Sequence, residues 1–247
     1  MVELQGVTVT YNKGMPNEQK ALRDISLTVN EGEFVTIIGP NGAGKTTLLK
    51  VLLGEVSPLK GTYRIDGKLM NNRPPHHLAR FIGRVYQDPN TGIFPSLSIK
   101  ENLLIAAKKG FRTIRFSKLK KEGLDLLEGL GLGLEKRLGV LAGELSGGQK
   151  QSLAMIMAIS SCPRLLLLDE HTAALDPRSA KSIMDLTMSI NGEKGITVMM
   201  ITHNMEFAGL YGRRLVEFHE GSLIKSEARS TQGLRSSVDR QVSSAVL

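Results

Sequence analysis

The chain has 247 residues, 41% hydrophobic and 23% charged, with 32 basic against 24 acidic residues. A chain of this length and composition can bury a core, which excludes a wholly disordered polymer. Its single cysteine excludes an internal disulfide framework and a multi-cysteine zinc site, and fits a reducing compartment. The net charge of +8 admits nucleic acid, an anionic membrane surface or an anionic small ligand, and composition does not choose among them.

In chain order, residues 2–10 read as a strand, as do 25–29 and 34–38 (F-V-T-I-I). A Gly-rich turn over 39–44 leads into a helix over 45–53, with Gly54 at the position of a C-terminal cap. Residues 62–66 read as a further strand. From about 92 to 161 the pattern is helical, interrupted by Gly147-Gly148 and closed by Pro163. The apolar run Leu165–Leu168 suits a buried parallel strand with Asp169 and Glu170 at its C-terminal end. A helix over about 178–190 and a strand over 196–202 repeat the unit. Strands joined by helical crossovers imply a parallel α/β sheet, with the helical region as an inserted subdomain. The tail over 226–247, rich in Ser, Arg and Gln, reads as a loosely held end. No apolar run approaches the roughly 18 residues of a membrane span, and the N-terminus lacks a secretory signal pattern, so the expectation is a soluble, cytoplasmic chain.

Three motifs carry chemistry. Gly39-Pro40-Asn41-Gly42-Ala43-Gly44-Lys45-Thr46 fits the phosphate-loop pattern between a strand and a helix. A phosphate chain wrapped by backbone N–H groups leaves no room for Cβ atoms, hence the glycines. The helix start aims its positive end at the phosphates, Lys45 can reach the β/γ oxygens, and Thr46 can hold Mg²⁺. Second, Asp169 at a strand end can hold Mg²⁺, and Glu170 can orient or deprotonate a water; the bland alternative is a strand end capped by solvated acids. Third, Leu145-Ser146-Gly147-Gly148-Gln149 offers an N-cap serine and two glycines at a helix start, either an anion site or a plain helix start after a turn.

Together these residues resemble the ATP-binding cassette (ABC) ATPase family over residues 1 to about 224. Gly39–Thr46 look like its Walker A, Leu165–Glu170 its Walker B and Leu145–Gln149 its signature. Gln87 resembles its Q-loop glutamine, Ala174-Leu175-Asp176 its D-loop, His203 its switch histidine and Tyr11 its adenine-stacking aromatic. The resemblance implies a P-loop NTPase core with a parallel sheet, an N-terminal antiparallel β subdomain and an inserted α-helical signature subdomain. The cassette would span 1–225, with the helical part at about 88–162. ATP contacts are implied for Tyr11, Gly39, Pro40, Asn41, Gly42, Ala43, Gly44, Lys45, Thr46, Thr47 and Gln87. Mg²⁺ contacts are implied for Thr46, Gln87 and Asp169. Two cassettes would face each other, with Ser146, Gly147, Gly148 and Gln149 of one closing on ATP held by the other. Lys45, Glu170 and His203 would be catalytic, and Asp176 would lie in the D-loop. Where the family usually has proline, this chain has His171, either neutral packing or an added titratable group.

The implied partners are a second cassette, transmembrane permease subunits and a solute-binding protein, with peripheral contact at the cytoplasmic face of the membrane. A cassette on its own polypeptide favours an importer of a small solute such as an amino acid. The alternative is a soluble ATPase of iron–sulfur cluster assembly. A translation or DNA-repair role fits poorly with one cassette and a short span from Lys45 to Ser146. Residues 88–106, including Gly92, Ile93 and Phe94, are either a permease-docking surface or core packing. The basic stretch Lys108–Lys121 reads as a solvated face, a contact to anionic lipid or, without a supporting motif, a nucleic-acid contact; no nucleic acid is expected.

Overall fold

The computed structural model of the chain describes residues 1–107 and 121–228; side chains over 108–122 and all of 229–247 lie outside the described residues. The side chains of the predicted basic stretch therefore fall outside it, as does most of the predicted tail.

The elements, in order, are β1 (Val2–Tyr11), β2 (Gln19–Val29), β3 (Phe34–Ile38), α1 (Lys45–Leu52), β4 (Lys60–Ile65), β5 (Lys68–Leu69), α2 (Pro75–Leu78) and β6 (Ile82–Val85). There follow α3 (Ile99–Ala106), α4 (Lys121–Gly129), α5 (Gly147–Ile159), β7 (Leu165–Asp169), α6 (Pro177–Lys194), β8 (Thr197–Ile201), α7 (Met205–Leu210), β9 (Arg214–His219) and β10 (Ser222–Ala228). Short 3₁₀ turns lie at Pro89–Gly92, Leu134–Lys136 and Ala142–Glu144. The chain forms two compact units, one from residues 1–78 and 197 onward, the other from 79–196.

The first unit carries an antiparallel sheet of order β2-β1-β4-β5. Strand β1 alternates as a half-buried strand should, with Val2, Leu4, Val7 and Val9 inward. Strand β2 begins at Gln19, six residues before the predicted start at 25. Its polar opening Q-K-A-L-R carries little strand signal, and pairing with β1 (Thr10 opposite Lys20, Val9 opposite Leu22) holds it extended. In the same unit β3 is flanked by β8 and β9, both parallel to it. Residues 34–37 are fully buried, as a strand covered on both faces requires. Helix α1 buries Leu48, Leu49, Val51 and Leu52. The hairpin β9–β10, which the sequence reading does not contain, closes through Glu220 and Gly221, both with positive φ. This is the geometry of a type I′ two-residue turn.

In the second unit β6 and β7 run parallel, Ile82 beside Leu165 through Val85 beside Leu168. Leu165–Leu168 are wholly buried, as their uninterrupted apolar run predicts. Strand β6 is too short and too broken by Gly83 and Arg84 to stand out in sequence. Gly83 is needed because a Cβ there would lie 2.8 Å from the Ala158 carbonyl oxygen. Helices α3, α4 and α5 share a core that includes Ile99, Leu103, Leu127, Leu134, Leu153 and Ile156. Every residue of α5 from Gln151 to Ile159 is buried. In the candidate docking segment Ile93 is buried in this core, whereas Phe94 is exposed. Helix α6 runs to Lys194, four residues past the predicted end, and stops at Gly195 in the left-handed conformation.

The architecture is α/β with parallel strands, an N-terminal antiparallel sheet and a helical segment carrying the signature, as the sequence implies. Strand β10 reaches Ala228, so residues 226–228 of the predicted tail are in a strand. No helix among the described residues is long and apolar enough to cross a membrane.

Candidate functional site

Within the first unit, the loop from Gly39 to Gly44 joins β3 to α1. Gly39 has φ +147°, and a Cβ there would collide with the Phe218 carbonyl oxygen; at Gly44, φ +101°, it would lie 2.5 Å from the Ala21 carbonyl oxygen. Both positions therefore demand glycine for conformation and for space. The missed hairpin forms the floor of this loop: the Gly221 N–H donates to the Ala43 carbonyl at 3.0 Å. A turn bond from the Ala43 N–H to the Pro40 carbonyl tightens the loop. Ala43 is buried, while Asn41 and Gly42 are exposed. With Gly44 at its N-cap position, helix α1 starts without a side-chain cap, and a helix start of this kind suits an anion. Lys45 is 5% exposed, and its ammonium donates to the Gly39 and Pro40 carbonyls at 2.6 and 2.9 Å. Thr46 is exposed and Thr47 half-buried.

Also in this unit, Tyr11 ends β1 opposite Gln19 and is half-buried. His203 follows β8 and is exposed. Its neighbours are anchored: the Asn204 N–H donates to Thr202 Oγ1 at 3.0 Å, and Asn204 Oδ1 caps α7 through the Phe207 N–H.

The second unit holds the remaining residues. Asp169 ends β7 with 17% of its side chain exposed, and Arg84 Nη2 donates to its Oδ2 at 3.1 Å. Glu170 adopts φ +46°, an uncommon conformation for a residue with a side chain and one that collects at functional sites. Its carbonyl accepts from the Ala173 N–H at 3.0 Å, fixing the turn into the D-loop. Gln87 is exposed, between Tyr86, whose carbonyl accepts from Gln151 of α5 at 2.9 Å, and Asp88, whose Oδ1 accepts from the Asn90 N–H.

The signature forms a capping box. Ser146 Oγ accepts from the Gln149 N–H at 3.3 Å, and Gln149 Oε1 accepts from the Ser146 N–H at 3.1 Å. Ser146 and Gly147 are exposed. Gly148 packs on the start of α6: a Cβ there would lie 2.7 Å from Ser179 Oγ and 2.9 Å from Ser179 Cβ. Asp176 caps α6 through the Ser179 N–H at 3.0 Å, and hydrogen bonds from Ser179 hold its carboxyl below the usual range. The signature and D-loop thus meet within one unit.

His171 is 2% exposed, and neither ring nitrogen has a hydrogen-bond partner among the described residues. Burial pushes its pKa down to about 3. The burial of His171 without a hydrogen-bond partner among the described residues favours the packing role of the two expectations.

The hydroxyl of Thr46, the amide oxygen of Gln87 and the carboxylate of Asp169 are hard oxygen donors, the kind Mg²⁺ takes alongside substrate phosphates. Thr46 belongs to the first unit, Gln87 and Asp169 to the second, and in donor chemistry each suits the ion. Sequence reasoning passed over Arg84, because the short run I-G-R-V does not stand out as a strand and nothing in it points to Asp169.

The sequence model described as "ABC transporter" matches residues 22–173. A tyrosine transport ATP-binding protein of Clostridioides difficile is 38% identical over 228 residues, covering 91% of this chain and 90% of that protein. The ATP-binding cassette MJ0796, in a dimeric post-hydrolysis state bound to ADP and Pi, superposes with a TM-score of 0.81 at 32% identity, covering 93% of this chain and all of the other. The cbiO1 protein of Clostridium perfringens, part of the ABC transporter complex cbiONQ, gives a TM-score of 0.81 at 28% identity, with coverages of 98% and 93%.

Proposed function

The chain belongs to the ABC transporter family as an ATP-binding, ATP-hydrolysing cassette, and on that premise we propose that it powers import of a small solute such as an amino acid. The observation that carries the amino-acid transport reading is the 38% identity, along nine-tenths of both chains, with a tyrosine transport ATP-binding protein. The permease subunits form the channel, the cassette sits at the cytoplasmic face of the membrane, and a solute-binding protein delivers the cargo. The membership of cbiO1 in a transporter complex supports permease partners, and the dimeric MJ0796 structure supports pairing with a second cassette.

Lys45 and the N–H groups of residues 42–46 hold the phosphates of ATP. Thr46, Gln87 and Asp169 would hold Mg²⁺ and its waters, and the ion would supply neutralising charge to the phosphates. Tyr11 stacks on the adenine. Glu170 orients and deprotonates the attacking water, and His203 contacts the γ-phosphate. Ser146 and Gly148 of a second copy donate to the same γ-phosphate, so ATP joins the two copies and hydrolysis parts them. Positioning and charge stabilisation supply most of the rate.

The test is a pull-down of the tagged chain from native membranes, with identification of what co-purifies. A multi-span permease that raises the ATPase rate when reconstituted supports the proposal. Recovery of soluble iron–sulfur scaffold proteins instead contradicts it.

A further inference from the structure

Strand register places four side chains on one face. Arg84 of β6 stands beside Leu167 of β7 in the parallel pair. With a strand period of two, Tyr86 follows Arg84 on that face and Asp169 follows Leu167. The guanidinium meets both neighbours. Its Nη2 donates to Asp169 Oδ2 at 3.1 Å, and its carbon lies 4.3 Å from the centre of the Tyr86 ring. The ion pair is largely covered, with side-chain exposures of 14% and 17%. Coulomb attraction there is screened less than at an open surface. Tyr86 is itself fixed, since its carbonyl accepts from Gln151, a fully buried residue of the signature helix α5.

We propose that Arg84, stacked on Tyr86, is a positioning residue that fixes the Asp169 carboxylate for Mg²⁺. Arg84 takes Oδ2 and leaves Oδ1 to the ion and its waters. A planar guanidinium suits the task because it can stack on a ring while its edge donates to a carboxylate, which a lysine ammonium cannot reproduce. Carboxylates that serve metals are themselves oriented by hydrogen bonds, and loss of such a partner costs about ten- to a hundredfold in metal affinity. The inference rests on the assignment of Asp169 to Mg²⁺ in the proposed function. It adds that the Gln87 segment and the Walker B strand are joined through one cation.

The test uses the full chain carrying Glu170→Gln, so that ATP persists, with Mn²⁺ as the spectroscopic substitute for Mg²⁺. Free Mn²⁺ is followed by electron paramagnetic resonance on the protein–ATP complex after excess nucleotide has been removed, so that ATP in solution does not take up the ion. ATP affinity in EDTA is measured in parallel and also reports that each variant is folded. Arg84→Met should weaken Mn²⁺ binding about tenfold while leaving ATP affinity in EDTA within about twofold. Tyr86→Phe, which keeps the ring face, should match the parent; Tyr86→Leu should weaken Mn²⁺ binding several-fold. Should Arg84→Met not fold, Arg84→Lys carries the test, with a smaller loss in the same direction. Unchanged or tighter Mn²⁺ binding without the guanidinium overturns the inference, as does equal loss from Tyr86→Phe and Tyr86→Leu. Asp169→Asn separates the two levels. If it weakens Mn²⁺ binding while the Arg84 variants do not, the inference alone fails; if it has no effect, the metal assignment fails as well.

Discussion

Lowering the pH should destabilise this protein by way of His171, and the size of the effect follows from its burial. The folded imidazole has its pKa pushed down to about 3, against about 6.5 in an unfolded chain. Between those values the unfolded chain binds a proton that the folded chain does not, so stability falls as pH falls through that window. Near pH 5 the slope is about 1.4 kcal/mol per pH unit, and the loss between pH 7 and pH 5 is about 2 kcal/mol. Urea unfolding followed by circular dichroism at half-unit pH steps measures it, with His171→Met as the reference. Methionine keeps a comparable apolar volume and does not titrate. The other four histidines, His76, His77, His203 and His219, are exposed and cancel in the comparison. Parallel stability profiles for the two proteins from pH 7 to pH 5 would refute the claim that a neutral imidazole is locked in the interior.

Lys45→Ala should lower ATP affinity by about ten- to a hundredfold, the worth of charge-assisted hydrogen bonds to the phosphates, as read by isothermal titration; unchanged affinity removes the phosphate-loop assignment. Gly148→Ala should cost about 1 kcal/mol in thermal unfolding, because overpacking against Ser179 outweighs the gain in helix propensity. Adding Ser179→Gly removes the obstructing atoms and should recover most of that loss relative to Ser179→Gly alone; no recovery means the contact is not what constrains the position.

The parts of the molecule legible in sequence are those where backbone geometry dictates residue type. Gly39 and Gly44 are fixed by positive φ and by carbonyls where a Cβ would stand, so the phosphate loop shows as a pattern. Leu165–Leu168 show because a strand buried on both faces has no polar positions. What was hidden depends on partners distant in the chain. The first half of β2 is extended because β1 pairs with it, not because Q-K-A-L-R favours a strand. The β9–β10 hairpin was marked only by Glu220-Gly221 between two short runs, yet it supplies the hydrogen bond beneath Ala43. The two readings of His171 were separable only by its 2% exposure, a tertiary quantity. Arg84 gained meaning only once strand register set it beside Asp169.

The central claim is that two copies share each ATP, and the most direct measurement is the mass of the Glu170→Gln protein by light scattering across a size-exclusion column. With saturating Mg-ATP the account predicts a dimer that returns to monomer when ATP is removed. A protein that binds Mg-ATP to saturation and still elutes at the mass of a single chain contradicts it.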